Sequence, residues 1–185
     1  MRRFPLILVM SLAAAAGLTS CLDNNGDDID KKWRDANIAY YEQQANLKDS
    51  SGHKFYTLIT SPWDAHAQVL MHWYNDTTET AQNLRPFYTS TVDVKYRLQL
   101  YDGTAIDSSY TRTSPADSVL RATLNSGVIM AWPISITQMH IGDSCRIVAP
   151  YTVCYGANGY GNIKPFTTLV FDVKLVGIPY YETKQ

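Results

Sequence analysis

The sequence predicts an antiparallel α+β domain with a helical extension at its N-terminal side. Three observations carry this. Several β-prone segments are separated by turn signals. Only one short internal segment reads as helix, and no strand–helix–strand alternation of the parallel kind is present. The chain of 185 residues suits one core. Its 45% hydrophobic and 18% charged residues exclude wholesale disorder. The 16 basic and 17 acidic residues nearly cancel, so the chain lacks the positive field that a nucleic-acid partner requires.

The first segment reads as a leader. Arg2 and Arg3 precede the apolar run Phe4 to Met10, and small residues lead on to Leu18-Thr19-Ser20-Cys21, a secretory signal pattern. The run is shorter than the roughly 20 residues that span a bilayer. Leu-Thr-Ser-Cys resembles the bacterial lipobox, in which the cysteine is acylated and becomes the first mature residue. Residues 1–20 are thus expected to be removed, with Cys21 lipidated and the protein held at the cell envelope, at the outer membrane. Removal takes two of the basic residues and none of the acidic ones, leaving a mildly acidic chain. Residues 21–30, rich in Asp and Asn, read as a flexible tether. Cys145 and Cys154 are expected as small buried thiols in preference to a disulfide, although an envelope tolerates either.

Residues 31–83 carry an N-terminal helix and a lead-in strand. Trp33, Ala36, Tyr40, Gln44 and Leu47 recur at three- and four-residue steps, which predicts an amphipathic helix over 30–48. A helix of that length is marginal in water, so it is expected to dock on its own domain in preference to a second copy. Asp49-Ser50-Ser51-Gly52 ends it, Ser61-Pro62 marks a turn, and Gln68 to Tyr74 reads as the first strand.

The main domain begins near residue 84. From Thr91 to Tyr101, Val92, Val94, Tyr96, Leu98 and Leu100 alternate with Asp93, Lys95, Arg97 and Gln99, which predicts a half-buried strand. Asp102-Gly103 is a hairpin turn signal, with a return strand from Ala105. Val119 to Leu124 reads as a further strand. Val128 to Met139 reads as the short helix, with Pro133 in its first turn and its β-branched residues held by packing. Cys145 to Ala149 and Thr167 to Gly177 complete the sheet.

Most site chemistries find no support. None of the four histidines stands at zinc-ligand spacing, and no Cys-x-x-Cys pair exists, so neither a metal nor another cofactor is expected. There is no Gly-x-Ser-x-Gly elbow, and Gly156, Gly159 and Gly161 lack the Gly-Lys-Ser/Thr of a phosphate loop. An aromatic and aliphatic excess remains, and taken singly such residues read as core.

Their order along the chain says more. Val92-Asp93-Val94-Lys95-Tyr96, Tyr101-Asp102-Gly103, Ile106-Asp107-Ser108-Ser109 and Val128-Ile129-Met130-Ala131-Trp132 occur in turn. Gln138-Met139-His140-Ile141-Gly142, Tyr155-Gly156-Ala157 and Thr168-Leu169-Val170-Phe171-Asp172-Val173-Lys174-Leu175 follow. This series over residues 84–178 resembles the FKBP-type peptidyl-prolyl cis-trans isomerases.

The resemblance implies a twisted antiparallel sheet wrapped around the short helix, and residues 179–185 as a tail. It implies Trp132 as the floor of a proline pocket, with Tyr96, Val128, Ile129 and Phe171 as walls and Ile106, Tyr160 and Ile163 nearby. Tyr155 would donate its hydroxyl to a substrate carbonyl, Asp107 would pair with Arg112 at the rim, and the Ile129 amide would bond the bound chain. The implied partners are proline-containing polypeptides and macrolide ligands, and the implied role is folding secreted proteins at the membrane. Binding without catalysis, or service as a structural subunit of a surface complex through residues 30–90, are the other readings. Ile106 stands where the family usually has Phe, and Ala131 replaces a glycine. The loop from Tyr160 to Lys164 is short, and no second wall aromatic is evident near 116–120. These departures imply a shallower pocket.

Overall fold

The computed structural model describes residues 25–180. The leader, Cys21 and the end of the tail lie outside the described residues. The elements in order are α1 (Asn25–Asn46), β1 (Thr57–Ser61), β2 (Asp64–Trp73), α2 (Thr77–Thr80), β3 (Thr91–Leu100), β4 (Ala105–Ser108), β5 (Leu120–Thr123), α3 (Ala131–Ile136), β6 (Ser144–Ala149), a 3-10 turn (Tyr151–Val153) and β7 (Leu169–Gly177). The strands form one antiparallel sheet in the order β1-β2-β6-β7-β3-β4. β5 also pairs with β3: it takes residues 91–94 of that strand, and β4 takes residues 97–99.

The period-two pattern of β3 sets its inner face. Val92, Val94, Tyr96 and Leu98 are all buried, and so are Leu169, Phe171, Val173 and Leu175 of the neighbouring β7. α3 lies across this face against β1 and β2 with all six of its residues buried. Packing therefore holds a Trp-Pro-Ile-Ser-Ile sequence of poor helix propensity. The Asp102-Gly103 turn closes β3 on β4: Gly103 has φ +87, and its amide donates to the Leu100 carbonyl.

α1 covers the opposite face. Leu70, Val148 and Val170, which alternate with inner-face residues, form a second cluster with Tyr56, and Tyr40, Tyr41, Ala45 and Phe55 pack on it. Asn37 is fully buried. Its Oδ1 accepts from the Thr168 amide at 2.8 Å, its Nδ2 donates to the Trp33 carbonyl, and its carbonyl accepts from the Thr168 hydroxyl. The indole of Trp33 donates to the Pro165 carbonyl and the Thr167 hydroxyl at 3.1 and 3.2 Å. The helix thus docks on its own domain.

Several element boundaries differ from expectation. α1 starts at Asn25, within the segment read as a tether. β2 starts at Asp64 and is preceded by β1, which was not expected; it is a short and mostly exposed edge strand that carries little hydrophobic pattern. α3 keeps only the middle of the helix expected over 128–139, since the segment before it lines a cleft.

Candidate functional site

The cleft opens on the α3 side of the sheet, with a volume of about 650 Å³. β3 sends Tyr96 and Leu98 into it, β7 sends Phe171, and the loop entering α3 supplies Gly127 to Met130. Trp132, 5% exposed, lies at its base. The Tyr96 ring meets the indole edge-on at 5.4 Å, and the Phe171 ring does so at 6.2 Å. Such contacts fix the ring orientation and leave a flat apolar surface facing the opening. Thr152, Val153, Cys154 and Tyr155 close the far side.

Polar groups are few, and each has a definite arrangement. The Tyr96 hydroxyl donates to Asp107 Oδ2 at 2.5 Å, while Oδ1 of the same carboxylate accepts from the Ser108 amide at 2.7 Å. Burial, reinforced by the bond to Asp107, pushes the Tyr96 phenol up to about 12. The Tyr96 amide donates to the hydroxyl of Ser109, a fully buried residue, and the Ser109 amide donates back to the Tyr96 carbonyl. Tyr155 stacks on Tyr160 at 5.2 Å with the rings 13° from parallel. Its hydroxyl has no hydrogen-bond partner among the described residues, and burial raises its titration above that of a free phenol. The Ile129 amide likewise donates to no acceptor among the described residues, whereas its carbonyl accepts from the Trp132 amide.

Burial raises the Cys154 thiol, so it is a neutral wall group; Cys145 is also free, and its thiol is raised in the same way. The loop carrying Tyr160 is closed by Gly159 at φ +70, where a Cβ would lie 2.3 Å from the Ile163 carbonyl oxygen. Among the described residues no three His, Cys, Asp or Glu side chains converge as a metal site.

Of the residues singled out in the sequence, Trp132, Tyr96, Asp107, Val128, Ile129, Tyr155, Tyr160 and Phe171 line this one cleft. Ile106, Ile163 and Arg112 do not. Ile106 packs against the core, while Asp107, exposed on β4 and paired with Leu98, lines the cleft. Ile163 is a core residue bridged to Tyr160 through its backbone. The expected Asp107–Arg112 ion pair is absent from the described residues. The carboxylate accepts from the Tyr96 hydroxyl and the Ser108 amide, and Arg112 lies beside the Tyr96 hydroxyl. In the stretch 116–120, where the family resemblance implies a second aromatic wall, Leu120 lines the cleft with an aliphatic one. Leu98, Met130, Thr152, Val153 and Cys154 were not singled out. Leu98 shares the alternating face of Tyr96, a signal that could have found it; the others meet the cleft through contacts distant in sequence.

A family model described as FKBP-type peptidyl-prolyl cis-trans isomerase matches residues 84–176. The chain is 39% identical over 94 residues to the FKBP-type 22 kDa peptidyl-prolyl cis-trans isomerase of Escherichia coli, spanning 50% of this chain and 43% of that protein. It thus covers less than half the length of that relative. Among solved structures, FkpA from Escherichia coli superposes with a TM-score of 0.65 at 26% identity, over 84% of this chain and 63% of that one. A peptidyl-prolyl cis-trans isomerase from Pseudomonas syringae gives 0.62 at 26% identity, over 80% of this chain and 94% of that one.

Proposed function

Since this chain belongs to the FKBP-type peptidyl-prolyl cis-trans isomerase family, we propose that it catalyses X-Pro isomerisation in polypeptide chains, assisting the folding of secreted proteins. The observation that carries the reading is the Trp132-floored cleft, lined by a Tyr155 hydroxyl and an Ile129 amide that have no hydrogen-bond partner among the described residues. Rotation about an amide costs about 18–20 kcal/mol because it destroys resonance. The reaction needs neither nucleophile nor proton transfer. A pyrrolidine ring resting on the indole, with its flanking carbonyls held by the Tyr155 hydroxyl and the Ile129 amide, is free to twist between apolar walls. Apolar walls favour the twisted, less resonance-stabilised amide over the planar one, and that difference in binding lowers the barrier. Macrolide ligands would occupy the same cleft. The curated relatives include a protein named FK506-binding protein 2.

The test is acceleration of a proline-limited refolding reaction. Trp132→Ala should abolish it together with proline-peptide binding, and cost about 3–5 kcal/mol of stability because the ring is also core. Wild-type protein that binds proline peptides without accelerating refolding would favour the second reading, a binding module. The aliphatic Leu120 wall is the observation on that side.

The same proposal places the protein at the cell envelope, anchored in the outer membrane through an acylated Cys21, on its periplasmic or surface face. Support comes from the leader pattern that ends at Leu18-Thr19-Ser20-Cys21. Two or more acyl chains give stable attachment where one is marginal. Cys21→Ala should release the protein into the soluble fraction, and retention with membranes would refute the anchor.

A further inference from the structure

The cleft does not end at Met130. Gly127, Val128 and Met130, which form its edge, also line a second depression with Pro133, Trp63 and Tyr88. Trp63 and Tyr88 in turn line a third, of about 430 Å³, with Pro62, Phe87, Thr137 and Gln138. Neighbouring depressions share lining residues, so the three lie end to end as a track along α3, from its N-terminal end to the turn beyond its C-terminal end. At 1.5 Å per helical residue, Met130 to Gln138 corresponds to about 12 Å, the reach of about four residues of extended peptide at about 3.3 Å each.

The far end is a built apolar surface. Trp63 is 45% exposed, Tyr88 46% and Phe87 71%, and the Trp63 and Tyr88 rings pack at 4.8 Å. Three large apolar side chains exposed side by side mark an interaction site more often than a lone one does. The patch is held in place: Arg85 bonds the Thr137 carbonyl and the Gln138 side chain, and Ser90 accepts from the Phe87 amide. Trp63 sits in the turn between β1 and β2, ahead of the residues matched by the family model.

We infer that this track binds the client polypeptide beyond its proline, with the Trp63–Tyr88–Phe87 patch taking an aromatic or large aliphatic side chain about three to five residues away. The occupant follows from continuity with the cleft. A chain whose proline rests on Trp132 must leave over a rim, and the rim at Met130 leads on to aromatic rings. The inference rests on the isomerase reading of the cleft and adds a preference for long, apolar-rich clients.

The experiment compares two substrates on the full chain. One is a proline tetrapeptide too short to leave the cleft, and the other is an unfolded protein whose refolding is limited by X-Pro isomerisation. Trp63→Ala combined with Tyr88→Ala should leave tetrapeptide kcat/KM within about twofold and lower refolding catalysis about tenfold, equivalent to about 1.4 kcal/mol. Trp63→Phe, which keeps an apolar ring, should restore most of it. Peptides with a tryptophan four residues from proline should bind wild type more tightly than alanine counterparts, and the double variant should erase that gain. Equal catalysis of both substrates by wild type and double variant would overturn the track while leaving the isomerase intact. Loss of self-association in the double variant with refolding catalysis unchanged would assign the patch to a second copy and also overturn it. Wild type inactive on both substrates would remove the isomerase reading, and the track with it.

Discussion

Two tyrosines face the same cleft, and the structure separates what each hydroxyl does. Tyr96, 4% exposed, gives its proton to Asp107 at 2.5 Å; Tyr155 gives its proton to no described residue, and its ring rests on Tyr160. Removing the Tyr96 hydroxyl deletes a hydrogen bond to a carboxylate, worth about 1.5–3 kcal/mol when fully dry. Asp107 is exposed, so water recovers part of that, and Tyr96→Phe should cost about 1–2 kcal/mol. That is roughly 3–6 °C in Tm for a chain of this size. Tyr155→Phe breaks no internal bond and keeps the stacked ring. Its stability should stay within about 0.5 kcal/mol of wild type. Its kcat/KM should drop by one net hydrogen bond of about 0.5–1.5 kcal/mol, which is about 2–12-fold. Thermal unfolding and tetrapeptide isomerisation, measured on both variants, give the crossed pattern. Equal stability losses, or a Tyr155→Phe enzyme turning over at the wild-type rate, would refute the division of roles. Burial raises both phenols above the ordinary tyrosine value of about 10, so neither should impose a pH dependence on kcat/KM between pH 6 and about 9.

Two further outcomes concern the scaffold. Asn37→Ala leaves the Thr168 amide without its acceptor in a fully buried site and should cost about 2–3 kcal/mol by urea unfolding; a change below about 0.5 kcal/mol would mean that α1 docks without it. Asp172 and Asp143 both titrate below the ordinary carboxylate value. Burial alone would raise them, but Arg146 and Tyr74 at Asp172, and Thr80, Asn75 and the His140 amide at Asp143, outweigh it. The unfolded chain therefore takes up protons first, so their stabilisation is complete above the unfolded value near about 3.9 and is lost as pH falls through the lower folded values. Tm measured from pH 6 to pH 2.5 should decline in that acid window, and Asp172→Asn should flatten the decline.

Local pattern makes much of this protein legible in its sequence. The alternation from Val92 to Leu100 named the inner face of β3, because strand geometry places every second side chain on one side whatever the partner. The Asp102-Gly103 turn and the three- and four-residue steps from Trp33 to Gln44 are likewise properties of the local chain, although the helix ends at Asn46 and leaves Leu47 exposed beyond it. The ordered blocks around Tyr96, Trp132 and Phe171 brought most of the cleft with them. Tertiary structure decided what depends on residues far apart in the chain. β1 exists because it pairs with β2, and its own five residues are mostly exposed and carry little period. Asp107 meets Tyr96 and not Arg112 because the β3–β4 register sets Asp107 opposite Leu98. Leu120, Thr152 and Cys154 enter one cleft only because β5 and the turn after β6 are brought to the sheet beside Trp132. Side-chain period is a property of the local backbone and survives in a linear sequence; convergence arises from strand pairing over long separations, which no local pattern encodes.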